Sequence, residues 1–262
     1  MNKKADSSEN VVKLKQGSSA DAPARRKGIY LLPNLLTTGA LFAGFYAVLS
    51  GFTGQFELAA IAIFAAMIFD GLDGRVARMT NTQSDFGVQY DSLSDMVSFG
   101  VAPAVVAYGW GVSDLGKLGL AAAFVYASCA ALRLARFNVQ AESSDGKVFT
   151  GLPSPAAAAL VAGFVWSTYE LAPSVALSVL GAVLTAAAGL LMVSNFKYPS
   201  FKEVDLRGKV PFIVILSVVM GFVVITIDPP RILFMLAVFF SFSAPLIWLA
   251  KKLGFSAGPK AD

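Results

Sequence analysis

Eight apolar segments leave this chain few architectures. They run over approximately 33–51, 56–78, 86–110, 115–137, 153–170, 173–194, 209–227 and 231–250. Each is near the length of about 20 residues that a helix needs to cross the hydrocarbon of a bilayer. A backbone in lipid must satisfy its own hydrogen bonds, so such segments become helices. The expected fold is an all-α integral membrane protein, a bundle of about eight transmembrane helices with short connections. Of its 262 residues 56% are hydrophobic and only 15% charged. A soluble domain carries roughly a quarter charged residues. No apolar stretch followed by a cleavage site opens the chain, so no removable signal peptide is expected.

Three regions are expected. Residues 1–28 are polar, end in the basic cluster Arg25-Arg26-Lys27 and read as a disordered cytoplasmic tail. Residues 29–252 form the transmembrane domain, and 253–262 a short C-terminal tail. There is no internal repeat. Nineteen of the 21 lysines and arginines fall in the two termini and in alternate connections, against Lys117 and Arg231 on the other side. The positive-inside rule puts the larger set, and both termini, in the cytoplasm. The expected location is the inner membrane of a bacterium.

The chain has no histidine. Histidine-based acid–base catalysis and histidine metal ligation are therefore excluded. Cys129 is the single cysteine, so an intrachain disulfide is impossible; it reads as a small packing residue.

Against this background, Phe69 to Gly100 holds five aspartates: Asp70, Asp73, Asp85, Asp91 and Asp95. Asp70 and Asp73 are three apart near the end of the second segment. Asp91 and Asp95 are four apart near the start of the third. Each pair shares a helical face, and a sharp link lets the two faces meet. Asp85 reads as an N-cap or first-turn residue. Four facing carboxylates at a membrane rim repel one another and are costly to desolvate. Either some carry protons or cations sit between them. Aspartate oxygens, with neither His nor Cys, select hard ions such as Mg²⁺, Mn²⁺ or Ca²⁺. Four such ligands suffice for two ions, a recurring device for phosphoryl transfer. Gly87 lies one turn before Asp91 and permits close approach. Gly74 leaves room on the metal face, and Arg78, four residues on, projects over the same surface. Arg78 suits a bridging phosphate; Arg75, off that face, reads as snorkelling to headgroups.

The run Asp70-Gly71-Leu72-Asp73-Gly74-Arg75-Val76-Ala77-Arg78, eight residues, then Gly87-Val88-Gln89-Tyr90-Asp91-Ser92-Leu93-Ser94-Asp95 resembles the CDP-alcohol phosphotransferase signature. That signature is D-x-x-D-G-x-x-A-R, an eight-residue gap, and G-x-x-x-D-x-x-x-D, and every fixed position is matched. The resemblance implies an integral-membrane transferase that displaces CMP from a CDP-linked lipid with an alcohol. It implies Asp70, Asp73, Asp91 and Asp95 as ligands of two divalent cations (Mg, Mn or Ca), with Asp95 also the base toward the acceptor hydroxyl. It implies Gly74, Ala77, Arg78 and Ser84 as contacts of the CDP-lipid. Pro33-Asn34-Leu35-Leu36-Thr37 resembles the family's nucleotide-side helix start and adds Asn34 and Thr37. A homodimer is also implied.

Outside the signature, Thr80 to Pro103, Arg133-Leu134-Ala135-Arg136-Phe137-Asn138, Gly151-Leu152-Pro153-Ser154-Pro155 and Met192 to Lys202 resemble the phosphatidylserine synthase branch. The implied substrates are CDP-diacylglycerol and L-serine, and the products phosphatidylserine and CMP. Arg133 and Arg136 share a face at the cytoplasmic end of the fourth segment. They can bind the carboxylate that serine, unlike glycerol or choline, brings; the competing reading is that they face lipid phosphates. Asn138 joins them as an acceptor-binding residue, and Ser154, Ser194 and Asn195 can add hydrogen bonds. The residues admit two other readings. One is the same site with glycerol 3-phosphate, inositol phosphate or choline as acceptor. The other is a divalent-cation transporter, which the opposite half does not favour, since Glu57, Asp114, Glu170 and Asp228 sit as loop charges at the far rim. Phe234, Phe239, Phe240 and Phe242 of the last segment read as a lipid-facing or packing surface.

Overall fold

The structure, a computed structural model, describes residues 31–141, 149–171, 174–198 and 212–253. The expected tail 1–28, residues 254–262 and the first positions of the seventh segment lie outside the described residues. So do Lys147, Lys202, Arg207 and Lys209 of the basic connections.

The helices are α1 (Leu31–Phe52), α2 (Phe56–Thr80), α3 (Asp85–Asp95), α4 (Ala102–Trp110), α5 (Lys117–Ala141), α6 (Ser154–Thr168), α7 (Val175–Val193), α8 (Phe212–Ile227) and α9 (Pro229–Lys252). α3 and α4 are joined without a break by a π-helical turn, Met96–Val101. The eight segments of the sequence thus correspond to eight helical paths, the third wound in two ways. Four helices, α1, α5, α7 and α9, are long and apolar enough to cross a membrane, and α6 is a shorter apolar helix. The protein is a multi-pass membrane protein.

The π turn has a cause in the sequence. Pro103 has no N–H, and its ring crowds the carbonyl four residues back. That carbonyl belongs to Phe99. Tyr126 of α5, fully buried, donates its hydroxyl to Phe99 O at 2.9 Å. The widened turn and the tyrosine together accommodate the proline inside the bundle.

Small residues set the interhelix spacing, as expected where lipid offers no hydrophobic drive to association. Along α1, Ala40, Ala43, Gly44, Ala47, Ser50 and Gly51 form one buried stripe. A Cβ on Gly44 would collide with Ser98, so α1 meets the third path there without room for a methyl group. Gly189 of α7 likewise sits against the Tyr126 backbone, and Gly163 of α6 against Phe234 of α9. Of the four phenylalanines of the last segment, Phe234 packs on Phe164 and Phe240 on Tyr198, while Phe239 is outward at 79% exposure. α8 lies at the periphery against α9.

One element departs from the all-helical expectation. Phe149–Thr150 (β1) pairs antiparallel with Lys197–Tyr198 (β2), with Phe149 opposite Tyr198 and Thr150 opposite Lys197. The pair is too short to leave a period-two signal in the sequence. It is secured by Gly151 N donating to Phe196 O (2.8 Å) and Leu152 N donating to Leu191 O (2.9 Å). Gly151 has φ +87°, and a Cβ there would meet Met192 O, so only glycine fits this crossing.

Candidate active site

The site lies where α2 ends and α3 begins. Thr82 N returns to Ala77 O (3.0 Å), and Asn81 takes the left-handed conformation that closes α2. After three more residues Ser84, extended, caps α3 by accepting from Gly87 N at 3.1 Å. Ser84 is therefore the N-cap and Asp85 the first helical residue. The four-residue link turns the chain back so that α2 and α3 present their aspartates to one another.

One carboxylate oxygen each from Asp70, Asp91 and Asp95 lies within 4.8 Å of the other two. Asp70 on α2 and Asp95 on α3 thus face each other across the helix pair. Asp73 is not in this trio. Three helical residues rotate the side chain by about 300°, so Asp73 is offset by about 60° from Asp70. That offset turns it toward α1, where its Oδ2 accepts from Thr37 Oγ1 at 2.6 Å. The four-carboxylate cluster of the sequence is thus three converging groups and a fourth, 5% exposed, tied to α1.

Among the described residues no lysine or arginine forms an ion pair with any of the four. Arg133 of α5 is the cation that faces Asp95 and Asp70 electrostatically, but its Nη1 donates to Ser154 Oγ (2.7 Å) at the start of α6. All donors in the cluster are carboxylate oxygens, no histidine exists, and Cys129 is buried elsewhere in the core. This donor set fits a hard divalent cation and suits softer metals poorly.

Beside the trio is a cavity of about 380 Å³. Its walls are Pro33, Asn34 and Thr37 of α1; Asp73, Gly74, Ala77 and Arg78 of α2; the link 82–84; Gly87, Val88 and Asp91 of α3; and Phe137 of α5. All six residues that the resemblance assigned to the CDP-lipid line this one cavity. A Cβ on Gly74 would meet nothing within 4 Å, so the α2 wall is open there. Arg78 makes no ion pair among the described residues and stands exposed at the cavity edge.

The three acceptor-side residues differ. Arg133 uses one nitrogen on Ser154 and forms no ion pair with the carboxylates among the described residues. Arg136 is spent on the backbone: Nη2 donates to Thr150 O at 2.7 Å and Nη1 to Val193 O at 3.5 Å. It fastens α5 to β1 and the end of α7. Asn138 accepts from Ser92 Oγ (3.1 Å) and reaches Gln89 Oε1 (3.5 Å), which ties α5 to α3. The two arginines share a helical face but have different partners, a serine hydroxyl for Arg133 and backbone carbonyls of β1 and the α7 end for Arg136. Ser194 donates to Leu191 O within its own helix end.

Sequence reasoning passed over Thr82, Gln83 and Phe137 of the cavity wall. It also passed over a file of hydroxyls on the third path. Tyr90 pairs with Thr38 Oγ1 (2.9 Å), Ser94 donates to Thr37 O (3.2 Å) and Ser98 to Ala40 O (3.0 Å). The signal was present: hydroxyls at 90, 94 and 98 repeat every four residues, adjacent in sequence to Asp91 and Asp95.

Residues 30–194 match the CDP-alcohol phosphatidyltransferase family. A Helicobacter pylori protein named CDP-diacylglycerol–serine O-phosphatidyltransferase is 40% identical over 198 residues, covering 74% of this chain and 83% of that protein. One of the same name from Bacillus subtilis is 35% identical over 172 residues, 66% of this chain and 92% of the relative. The archaetidylserine synthase of Methanothermobacter thermautotrophicus is 37% identical over 170 residues, 64% and 69% of the two chains. With its full signature gathered around one cavity, and with this likeness over most of its length, the chain belongs to the CDP-alcohol phosphatidyltransferase family.

Proposed function

We propose that the protein transfers the phosphatidyl group of CDP-diacylglycerol to the hydroxyl of L-serine, giving phosphatidylserine and CMP. The observation that carries the reading is the convergence of Asp70, Asp91 and Asp95 beside a cavity walled by the rest of the signature. Relatives named for the serine reaction support the acceptor.

In this reading Asp70, Asp73, Asp91 and Asp95 hold two divalent cations, Mg²⁺ or Mn²⁺. When bound, the ions would offset the charge of the diphosphate and ease departure of CMP. Gly74 and Ala77 leave space for the nucleotide along α2, with Asn34, Thr37 and Ser84 on the opposite wall. Arg78 forks onto the diphosphate at the cavity edge. Arg133 orients the acceptor by its carboxylate, and Ser154 holds the guanidinium in place. Asp95 accepts the hydroxyl proton as the serine oxygen bonds to the lipid-linked phosphorus. The bond from that phosphorus to the CMP oxygen breaks, and CMP leaves with the electron pair. Most of the acceleration comes from holding the reacting groups in line at fixed charge.

The site faces the cytoplasm, in keeping with the distribution of lysines and arginines, and the membrane is a bacterial inner membrane. The enzyme acts as a homodimer, a reading that rests on the family resemblance. The test is an acceptor panel with purified protein and Mn²⁺ or Mg²⁺. Radiolabelled serine is expected to enter lipid with stoichiometric CMP release. Incorporation of glycerol 3-phosphate, inositol phosphate or choline in its place would reassign the acceptor. Ion flux without CMP release would replace the enzyme by a transporter.

A further inference from the structure

We propose that Thr37 is a positioning residue of the metal-binding carboxylates, linking the α2 half of the cluster to the α3 half through α1. The inference rests on the reading above that the aspartates hold divalent cations.

Thr37 is 4% exposed. Its hydroxyl lies 2.6 Å from Asp73 Oδ2 and 3.1 Å from Pro33 O. A hydroxyl has one proton. The shorter contact, to a carboxylate, is the stronger of the two. With that proton directed at Asp73, Thr37 has nothing left to donate to a phosphate oxygen, which only accepts. Thr37 borders the cavity, but its donor belongs to the aspartate.

The other end of the same residue is held from α3. Ser94, 2% exposed, donates its hydroxyl to Thr37 O at 3.2 Å. Ser94 immediately precedes Asp95. One turn away on either side, Tyr90 reaches Thr38 and Ser98 reaches Ala40. Thr38 gives its own proton to Asn34 O at 2.7 Å, so Tyr90 is the donor in that pair. Three side chains, four residues apart, thus fix the rotation of the third path against α1. A rotation of about 100° separates consecutive residues on a helix. With 90, 94 and 98 docked on α1, Asp91 and Asp95 are aimed at Asp70. Gly44 permits this approach, since any Cβ there would collide with Ser98. Thr37 is the one position in this seam whose side chain also reaches a signature aspartate.

Partners of this kind typically change metal affinity by roughly ten- to a hundredfold when removed. The test is Mn²⁺ binding to the purified full chain in detergent without nucleotide, read from the electron paramagnetic resonance signal of free Mn²⁺. The KM for CDP-diacylglycerol and the thermal midpoint are measured alongside. Thr37→Val is expected to weaken Mn²⁺ binding roughly ten- to a hundredfold. Thr37→Ser, which keeps the hydroxyl, is expected to stay within about threefold of the parent, and Ser94→Ala to fall between the two. Unchanged Mn²⁺ affinity in Thr37→Val with a raised KM for CDP-diacylglycerol would overturn the inference and make Thr37 a substrate contact. If Thr37→Val does not fold, Ser94→Ala decides: unchanged Mn²⁺ affinity there overturns the seam. A parent protein that binds no Mn²⁺ removes the metal reading itself, and the inference with it.

Discussion

The acidic groups at the two ends of this bundle are treated in opposite ways. At the far rim they have a donor or open solvent: Glu57 and Glu170 share the one hydroxyl proton of Tyr169, at 3.1 and 3.2 Å, Asp228 pairs with Arg231 at 3.1 Å, and Asp114 is exposed. At the α2–α3 end, Asp70, Asp91 and Asp95 face one another, and the nearby Arg133 is engaged by Ser154. Acidic residues that need only stability are given a donor or left to solvent. Acidic residues gathered against their own repulsion, with the local arginine held off them, mark a place where a cation from outside completes the arrangement.

Substitutions at the two ends should differ sharply in effect. Asp91→Asn and Asp95→Asn are each expected to reduce phosphatidylserine formation by roughly 10²- to 10⁴-fold. Near-normal turnover and unaltered metal dependence in Asp95→Asn would remove its assignment as base and ligand. Chelation by EDTA is expected to abolish activity reversibly, with Mn²⁺ or Mg²⁺ restoring it. Activity that persists in EDTA would mean that the carboxylates work alone.

A narrower contrast separates the two arginines. Arg133→Ala is expected to raise the KM for serine about ten- to a hundredfold, the loss of charge-assisted hydrogen bonds costing ~1.5–3 kcal/mol. The KM for the CDP-lipid should move less. Arg136→Ala should leave the serine KM nearly unchanged and lower the thermal midpoint by a few degrees, because it releases Thr150 O and Val193 O. Equal effects of the two substitutions on serine would erase the distinction. The smallest change is expected at the far rim: Glu57→Gln and Asp228→Asn should keep activity within about twofold, as ordinary surface substitutions do.

Much of this was legible in the sequence. Apolar runs located the eight helical paths to within a few residues, because a bilayer demands long uninterrupted segments. The spacing of the aspartates gave two helical faces, and the short link from Asn81 to Ser84 made them meet. Spacing alone pointed to four facing carboxylates, of which three converge. A three-residue step leaves about 60° between Asp70 and Asp73, and the neighbour on α1 decided that Asp73 turns to Thr37. Arg136 shows the same limit: its partners are carbonyls of a two-residue strand and of a helix end some 57 positions away. The π turn was written in Pro103, but only the position of Tyr126 completes it. Residues 90, 94 and 98 carried a readable repeat whose meaning depended on knowing that α1 lies beside them.

The most direct test is anomalous diffraction from crystals grown with Mn²⁺. A peak bounded by oxygens of Asp70, Asp91 and Asp95 at about 2.0–2.6 Å is expected, the range for hard divalent ions on carboxylates. Carboxylates splayed apart, or neutralised by a direct ion pair to Arg133 with no peak among them, would contradict it.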